Sequence, residues 1–241
     1  MSVNAEPKLF TFQSSGAKTA LLELYTSEGC SSCPPAETWL SRLKESSGLW
    51  KEFVPVAFHV DYWDYLGWRD PWAARGFSDR QRAYAEHWGN ENIYTPGFVL
   101  NGKEWRDWSG RKDVPKLSGA KGGMLTVSSS DTNRWQVNFA PVGTGDADFE
   151  VHAALLACGL NSDVKAGENR GRRLNHDFSV ISVVKASLIR SGDKAQSSFV
   201  LPMRPMTPES SLALAVWISR AGRLEPLQAT GGWLVRPDPG R

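Results

Sequence analysis

The sequence predicts an α/β domain followed by an all-β domain. Strand and helix patterns alternate up to about residue 108, whereas later segments are short apolar-polar alternations separated by turn residues. Composition changes at the same place, since eight of the eleven tryptophans precede residue 109. A Gly-, Ser- and Lys-rich stretch follows and suits a connection between domains. We therefore predict domains at residues 1–117 and 118–241.

The α/β pattern rests on five segments. Residues 20–26 form a short apolar run of strand length, and Pro34 then begins a helix, where a missing N–H costs nothing. Residues 53–60 predict a second buried strand. A capping-box spacing predicts a helix over 79–88. Residues 97–106 contain an Asn-Gly turn and predict a hairpin.

The all-β pattern rests on six short runs that lack a helical period. Turn residues separate them, which predicts an antiparallel sandwich or partial barrel. The runs cover residues 124–130, 134–142, 149–156, 178–189, 198–201 and 211–218.

Composition excludes several classes of protein. A net charge of +2 over 241 residues is too small for nucleic-acid binding to be the main activity. No apolar run approaches the roughly 20 residues of a membrane span. Three cysteines are too few for a small disulfide scaffold. The first residues lack the apolar segment of a signal peptide, which favours a cytoplasmic protein or a replaced leader. The oligomeric state is not predicted.

The sharpest motif is Cys30-Ser31-Ser32-Cys33, between a predicted strand and a helix N-terminus. Unpaired N–H groups and the helix dipole stabilise a thiolate there. Cys30, at the more exposed end, would attack a substrate, and Cys33 would resolve the mixed disulfide. The same spacing also occurs in metal sites and in inert structural disulfides.

A Thr95-Pro96 pair enters a strand that ends in the Asn-Gly turn, and this arrangement resembles the thioredoxin family over most of residues 18–108. The resemblance implies that Pro96 is cis and shapes a substrate groove, with the Thr95 backbone pairing with a bound chain. One departure is Leu24, which stands where thioredoxins have a buried aspartate. The adjacent Glu23 faces the other side of the strand.

Residues 26–37, 59–68, 94–96 and 167–177 resemble domain-of-unknown-function family 1223. The resemblance implies an α/β thioredoxin-like domain, with a central mixed sheet and flanking helices, followed by an all-β sandwich-like domain. It also implies a periplasmic or secreted protein with thiol chemistry.

Several other residues are candidates near the cysteines. Asp61 and Trp63 follow the second predicted strand and would border the cleft, where ligands gather in open α/β sheets. Arg172 belongs to a mixed-charge segment that is either a solvated loop or a cover over the cysteines that selects a polar or anionic substrate. His59 is interpreted as a hydrogen-bonded core histidine, and Cys158 as a buried inert thiol.

We therefore predict a thiol–disulfide oxidoreductase in which Cys30 and Cys33 are catalytic. Thr95, Pro96, Asp61, Trp63 and Arg172 are the predicted substrate-binding residues, and the partner is a protein or small molecule bearing a thiol or disulfide. This interpretation requires no cofactor and no metal. One alternative is a copper- or zinc-binding protein that uses both cysteines and His59. Another is a non-catalytic binding adaptor.

Overall fold

Strands outnumber helices in the part of the chain that the structure describes. The computed structural model describes residues 9–117, 119–129, 131, 133–143, 147–202 and 210–236. In these ranges the α-helices are α1 (Pro34–Arg42) and α2 (Arg75–His87). The strands are β1 (Thr11–Gln13), β2 (Ala20–Thr26), β3 (Phe53–His59), β4 (Gly97–Leu100), β5 (Lys103–Glu104), β6 (Met124–Ser129), β7 (Arg134–Ala140), β8 (Phe149–Cys158), β9 (Leu160–Asp163), β10 (Arg173–His176), β11 (Ser179–Ser187), β12 (Ile189–Ser191), β13 (Lys194–Val200), β14 (Ser211–Arg220) and β15 (Pro226–Val235).

The largest sheet has eight strands in the order β15-β14-β8-β11-β3-β2-β4-β5. β3 is parallel to both β2 and β11, and the other neighbours are antiparallel. β2 and β3 are buried along their whole length, which matches their near-continuous apolar sequence. This sheet therefore joins strands from both ends of the chain.

The second sheet has five strands in the order β1-β6-β7-β13-β12. Its apolar residues share one core with alternate residues of β8 and β14, such as Leu155 and Val216. The intervening residues, such as Leu156 and Trp217, belong to a second core together with residues of α1 and α2. Successive side chains of β8 and β14 point to opposite faces, so each face of the large sheet contributes to a different core.

The predicted fold class is wrong. The described residues contain fifteen strands and two α-helices in mixed and antiparallel sheets, not a helix-flanked thioredoxin α/β core followed by a separate sandwich-like unit. The physical reason is strand pairing across the chain. Ala57 of β3 donates its N–H to the Phe178 carbonyl next to β11 at 2.9 Å, and β1 pairs with β6. The predicted division at 117/118 stays a prediction.

The start of α2 also differs from the prediction. The helix begins at Arg75 rather than near residue 79. The Ser78 hydroxyl, which the capping box assigned to the helix end, instead donates to the Asp61 carboxylate. A tertiary contact has replaced the local cap that the spacing suggested. Neither α-helix in the described part of the chain is long and apolar enough to cross a membrane.

Candidate functional site

Cys30 and Cys33 form a disulfide at the N-terminus of α1. Their Cα atoms lie 5.5 Å apart, within the range that a disulfide requires. Cys33 is the N-cap of α1, and prolines occupy the first two helical positions, where N–H groups have no intrahelical partner. Cys30 is 1% exposed and Cys33 is 0% exposed. Both cysteines are thus buried, although the sequence analysis expected Cys30 at the more exposed end of the motif.

A loop from the second half of the chain covers the disulfide. We call residues 164–172 the strap; its ends are joined by a hydrogen bond from the Val164 N–H to the Arg172 carbonyl at 2.9 Å. The buried Asn169 amide donates to the carbonyls of Glu28 and Cys30, at 2.8 and 2.9 Å. The strap is therefore hydrogen-bonded to the backbone on the N-terminal side of the disulfide.

Two further strap residues complete this contact. The Ser31 N–H donates to the Glu168 carboxylate at 2.9 Å, which lowers the pKa of Glu168. Arg172 donates to Asn169 Oδ1 at 2.8 Å. The predicted candidate Arg172 thus contacts Asn169, which bonds to the backbone at Cys30. Its role in selecting a substrate stays a prediction.

The predicted residues Trp63 and Thr95 lie together on the other side of the motif. The Trp63 indole N–H donates to Thr95 Oγ1 at 2.8 Å, and the Thr95–Pro96 peptide bond is cis, as predicted. A Cβ added to Gly29 would lie 2.8 Å from Trp63 Cβ, so only glycine permits this approach. Gly29 precedes Cys30, so Trp63 packs next to the motif, and its indole N–H bonds to Thr95.

Asp61 lies less directly at the site. Its carboxylate accepts the Ser78 hydroxyl, and its N–H donates to Ser78 Oγ at 3.1 Å. These contacts join the segment after β3 to α2. The structure therefore gives Asp61 a positioning contact on α2.

A buried polar cluster adjoins the motif, consisting of Thr26, Glu28, Glu37, His59, Asp70 and His176. His176 lies between two carboxylates, with Nδ1 at 2.5 Å from Glu37 and Nε2 at 3.0 Å from Glu28. His59 Nδ1 lies 2.8 Å from Asp70, and the two imidazole centroids are 4.9 Å apart. His59 is thus a hydrogen-bonded core histidine, as the sequence analysis interpreted it.

The electrostatics of the cluster favour charged forms despite burial. Burial alone would lower the pKa of His176, but Glu37 and Glu28 outweigh this effect and raise it to about 10. Burial would raise the pKa of Glu37, yet His176 holds it below its ordinary value. Asp70 shows the same balance, since His59 lowers its pKa against burial. The cluster is an ionic network.

Cys158 takes no part in the site. It is buried and unpaired with another cysteine, and the Phe178 N–H donates to its sulfur at 3.1 Å. Burial, with a smaller contribution from Asp177, raises the pKa of the thiol well above its ordinary value. A thiol held protonated is a poor nucleophile, which agrees with the predicted inert role.

The sequence analysis did not single out seven residues of the site: Thr26, Glu28, Glu37, Asp70, Glu168, Asn169 and His176. Glu37 had a usable signal, because it lies four residues after Cys33 and thus one turn further along α1. Asp70 and Asn169 had none, since their partners are 11 and 139 or more residues away. Contacts over such separations follow from the fold and not from local spacing.

Two solved structures resemble the whole chain. The crystal structure of protein AGR_C_4864 from Agrobacterium tumefaciens aligns with a TM-score of 0.59 and 23% identity, covering 92% of this chain and 96% of that one. HBP35 of Porphyromonas gingivalis aligns with a TM-score of 0.58 and 12% identity, covering 94% and 79%. At such identities the likeness concerns the fold alone.

The sequence comparison agrees with one part of the predicted resemblance. No curated protein matches the chain. A family model described as "protein of unknown function (DUF1223)" matches residues 21–219, which is most of the chain. The chain belongs to this DUF1223 family.

Proposed function

We propose that the protein is a thiol–disulfide oxidoreductase that uses the Cys30–Cys33 pair. The observation that carries the proposal is the disulfide itself, formed across a helix N-cap. A helix N-terminus stabilises the thiolate that reduction produces, which makes such a pair easier to reduce and its thiolate available near neutral pH. Its substrates are proteins or small molecules that carry a thiol or a disulfide.

The chemistry is a two-electron exchange. In the reducing direction the Cys30 thiolate attacks one sulfur of a substrate disulfide, forming a mixed disulfide and releasing the first substrate thiolate. The Cys33 thiolate then attacks Cys30 Sγ, which restores the Cys30–Cys33 bond and releases the second substrate thiolate. The substrate gains two electrons and the cysteine pair loses them. An external dithiol resets the enzyme, and the oxidising direction is the reverse.

The surroundings assign roles to the other predicted residues. In this proposal Trp63, which packs on Gly29 and bonds to Thr95, gives a substrate chain a surface to lie against. Arg172 acts as a positioning residue for Asn169, because it donates to the Asn169 side chain, which in turn donates to the Cys30 carbonyl. Asp61 positions the segment that carries Trp63.

The alternative of a metal held by both cysteines and His59 has less support. In the structure the cysteines are bonded to each other, and His59 faces Asp70 and His176. The adaptor alternative is tested together with the proposal, since it requires cysteines that do not exchange.

Trapping tests the proposal. Reduced Cys33→Ser is treated with glutathione disulfide and analysed by intact mass spectrometry and peptide mapping. We expect one stable glutathione adduct per chain on Cys30, because the resolving thiol is absent. The wild type should accumulate none, and Cys158→Ser in the same background should leave the adduct unchanged. If Cys30 stays unmodified in the folded Cys33→Ser protein, the proposal is wrong.

A further inference from the structure

We infer that Glu37, His59 and His176 form a binding site for a divalent transition-metal ion, separate from the cysteine pair. Each of the three residues offers one ligand atom, these atoms lie within 4.8 Å of one another, and all three residues are buried. Two imidazoles and one carboxylate are a donor set that proteins use for Zn²⁺ and Fe²⁺. The inference does not rest on the proposed redox function.

The hydrogen bonds that orient the two imidazoles support this assignment. A metal-ligating histidine normally gives its other ring nitrogen to a carboxylate, which orients the ring. His59 Nδ1 lies 2.8 Å from Asp70, and its Nε2 lies 3.3 Å from Ser179 Oγ. His176 Nε2 lies 3.0 Å from Glu28, which leaves Nδ1 beside Glu37. Both imidazoles thus have an outer carboxylate and present the opposite nitrogen to the site.

The net charge of the cluster also favours a bound cation. It contains three carboxylates, those of Glu28, Glu37 and Asp70, against two imidazoles, so it is net negative in every protonation state of the histidines. The other donors to these carboxylates, among them the Trp68 indole and the Glu28 N–H, bring no charge. A buried excess of negative charge is costly, and a divalent cation offsets it.

The geometry requires a local rearrangement. Two ligand atoms at about 2.1 Å from a tetrahedral zinc ion lie about 3.4 Å apart. The present limit of 4.8 Å therefore has to shorten by about 1.4 Å. The 2.5 Å contact between His176 Nδ1 and Glu37 has to open as its proton gives way to the ion. The ion would join α1, the end of β3 and the end of β10, and so fix the helix that begins at Cys33.

The experiment measures metal stoichiometry and ligand type in the full chain. Native mass spectrometry and titration with Zn²⁺ and Co²⁺ are applied to the wild type, His59→Gln, Asp70→Asn and the Cys30→Ser/Cys33→Ser double variant. We expect one ion per chain, with cobalt d–d absorption but no thiolate charge-transfer band. The double serine variant should bind equally well. Asp70→Asn should bind roughly 10- to 100-fold more weakly, because the variant loses the carboxylate that orients the His59 ring.

The matched control is His152→Gln, which removes a histidine outside the cluster and should leave metal affinity unchanged. Far-UV circular dichroism confirms that each variant is folded, and Asp70→Asn decides the question if His59→Gln does not fold. The inference is overturned if the wild type retains no ion, if Asp70→Asn binds with unchanged affinity, or if the double serine variant loses the ion. Trapping of a mixed disulfide on Cys30 is unaffected by any of these results.

Discussion

At the scale of single residues, burial and chemistry oppose each other at Cys30. Its position before a helix N-terminus favours a thiolate, yet it is 1% exposed under the strap. The sequence was enough to identify both cysteines, because their spacing and flanking prolines are local signals. It was not enough to find Asn169, since nothing in the surrounding residues indicates that its amide bonds to a carbonyl 139 residues away.

His152 provides a prediction about acid stability. Its ring stacks on Trp217 with centroids 5.2 Å apart, and burial, reinforced by Arg80 and Lys185, lowers its pKa to about 3. The pKa in the unfolded chain is about 6.5, so the unfolded state binds the extra proton between these values. The stability that neutral His152 contributes is therefore present above pH 6.5 and lost as the pH falls towards 3.

The free energy of unfolding of the wild type should fall between pH 7 and pH 4. In His152→Gln we expect this fall to be smaller by about 2–3 kcal/mol, since each pKa unit corresponds to about 1.36 kcal/mol. Urea unfolding at both pH values measures this. An equal loss in His152→Gln and the wild type would show that this imidazole is not desolvated.

At the scale of elements, we expect the strap to control how easily a thiol reaches the disulfide. Asn169 contributes two hydrogen bonds to the backbone at Glu28 and Cys30. A hydrogen bond contributes about 1 kcal/mol net, so the two together hold the strap closed by about 2 kcal/mol. We expect that the strap has to open before Cys30 can meet a substrate sulfur.

Asn169→Ala should therefore speed the reduction of the disulfide by a small thiol on the order of 10- to 30-fold, the rate equivalent of about 2 kcal/mol. Stopped-flow reduction with dithiothreitol gives the rate. Arg170→Ala, at the exposed neighbouring position, is the matched control and should leave the rate unchanged. Equal rates for Asn169→Ala and the wild type would mean that the strap does not limit access.

Predictions at this scale succeeded where the signal is local. The bounds of β2 and the start of α1 agree with the apolar run and with Pro34. The start of α2 was wrong because Ser78 bonds to Asp61 rather than capping the helix. β15 was missed because Gly231 and Gly232 weaken its strand pattern. In the structure these glycines leave room for the side chains of Trp50 and Phe12, which pack against the sheet there. Tertiary packing overrode the local preference in both cases.

At the scale of the whole molecule, the sequence indicated the strands of both halves but not their pairing. Strand patterns specify which face is buried and do not specify the neighbour along the sheet. β11, from the second half, pairs with β3, and β1, from the first half, pairs with β6. The two expected domains therefore contribute strands to the same sheets. The strap and His176 come from that second half, so the site exists only in the assembled chain.

The reduction potential of the Cys30–Cys33 pair in the intact chain tests the central claim most directly. Equilibration in dithiothreitol and glutathione redox buffers, followed by alkylation and mass spectrometry, gives the fraction of oxidised pair. We predict a reversible two-electron transition between about −270 and −120 mV, the range of dithiol enzymes, with Cys158 unmodified throughout. A potential below about −300 mV, typical of structural disulfides, would contradict an exchange function for this protein.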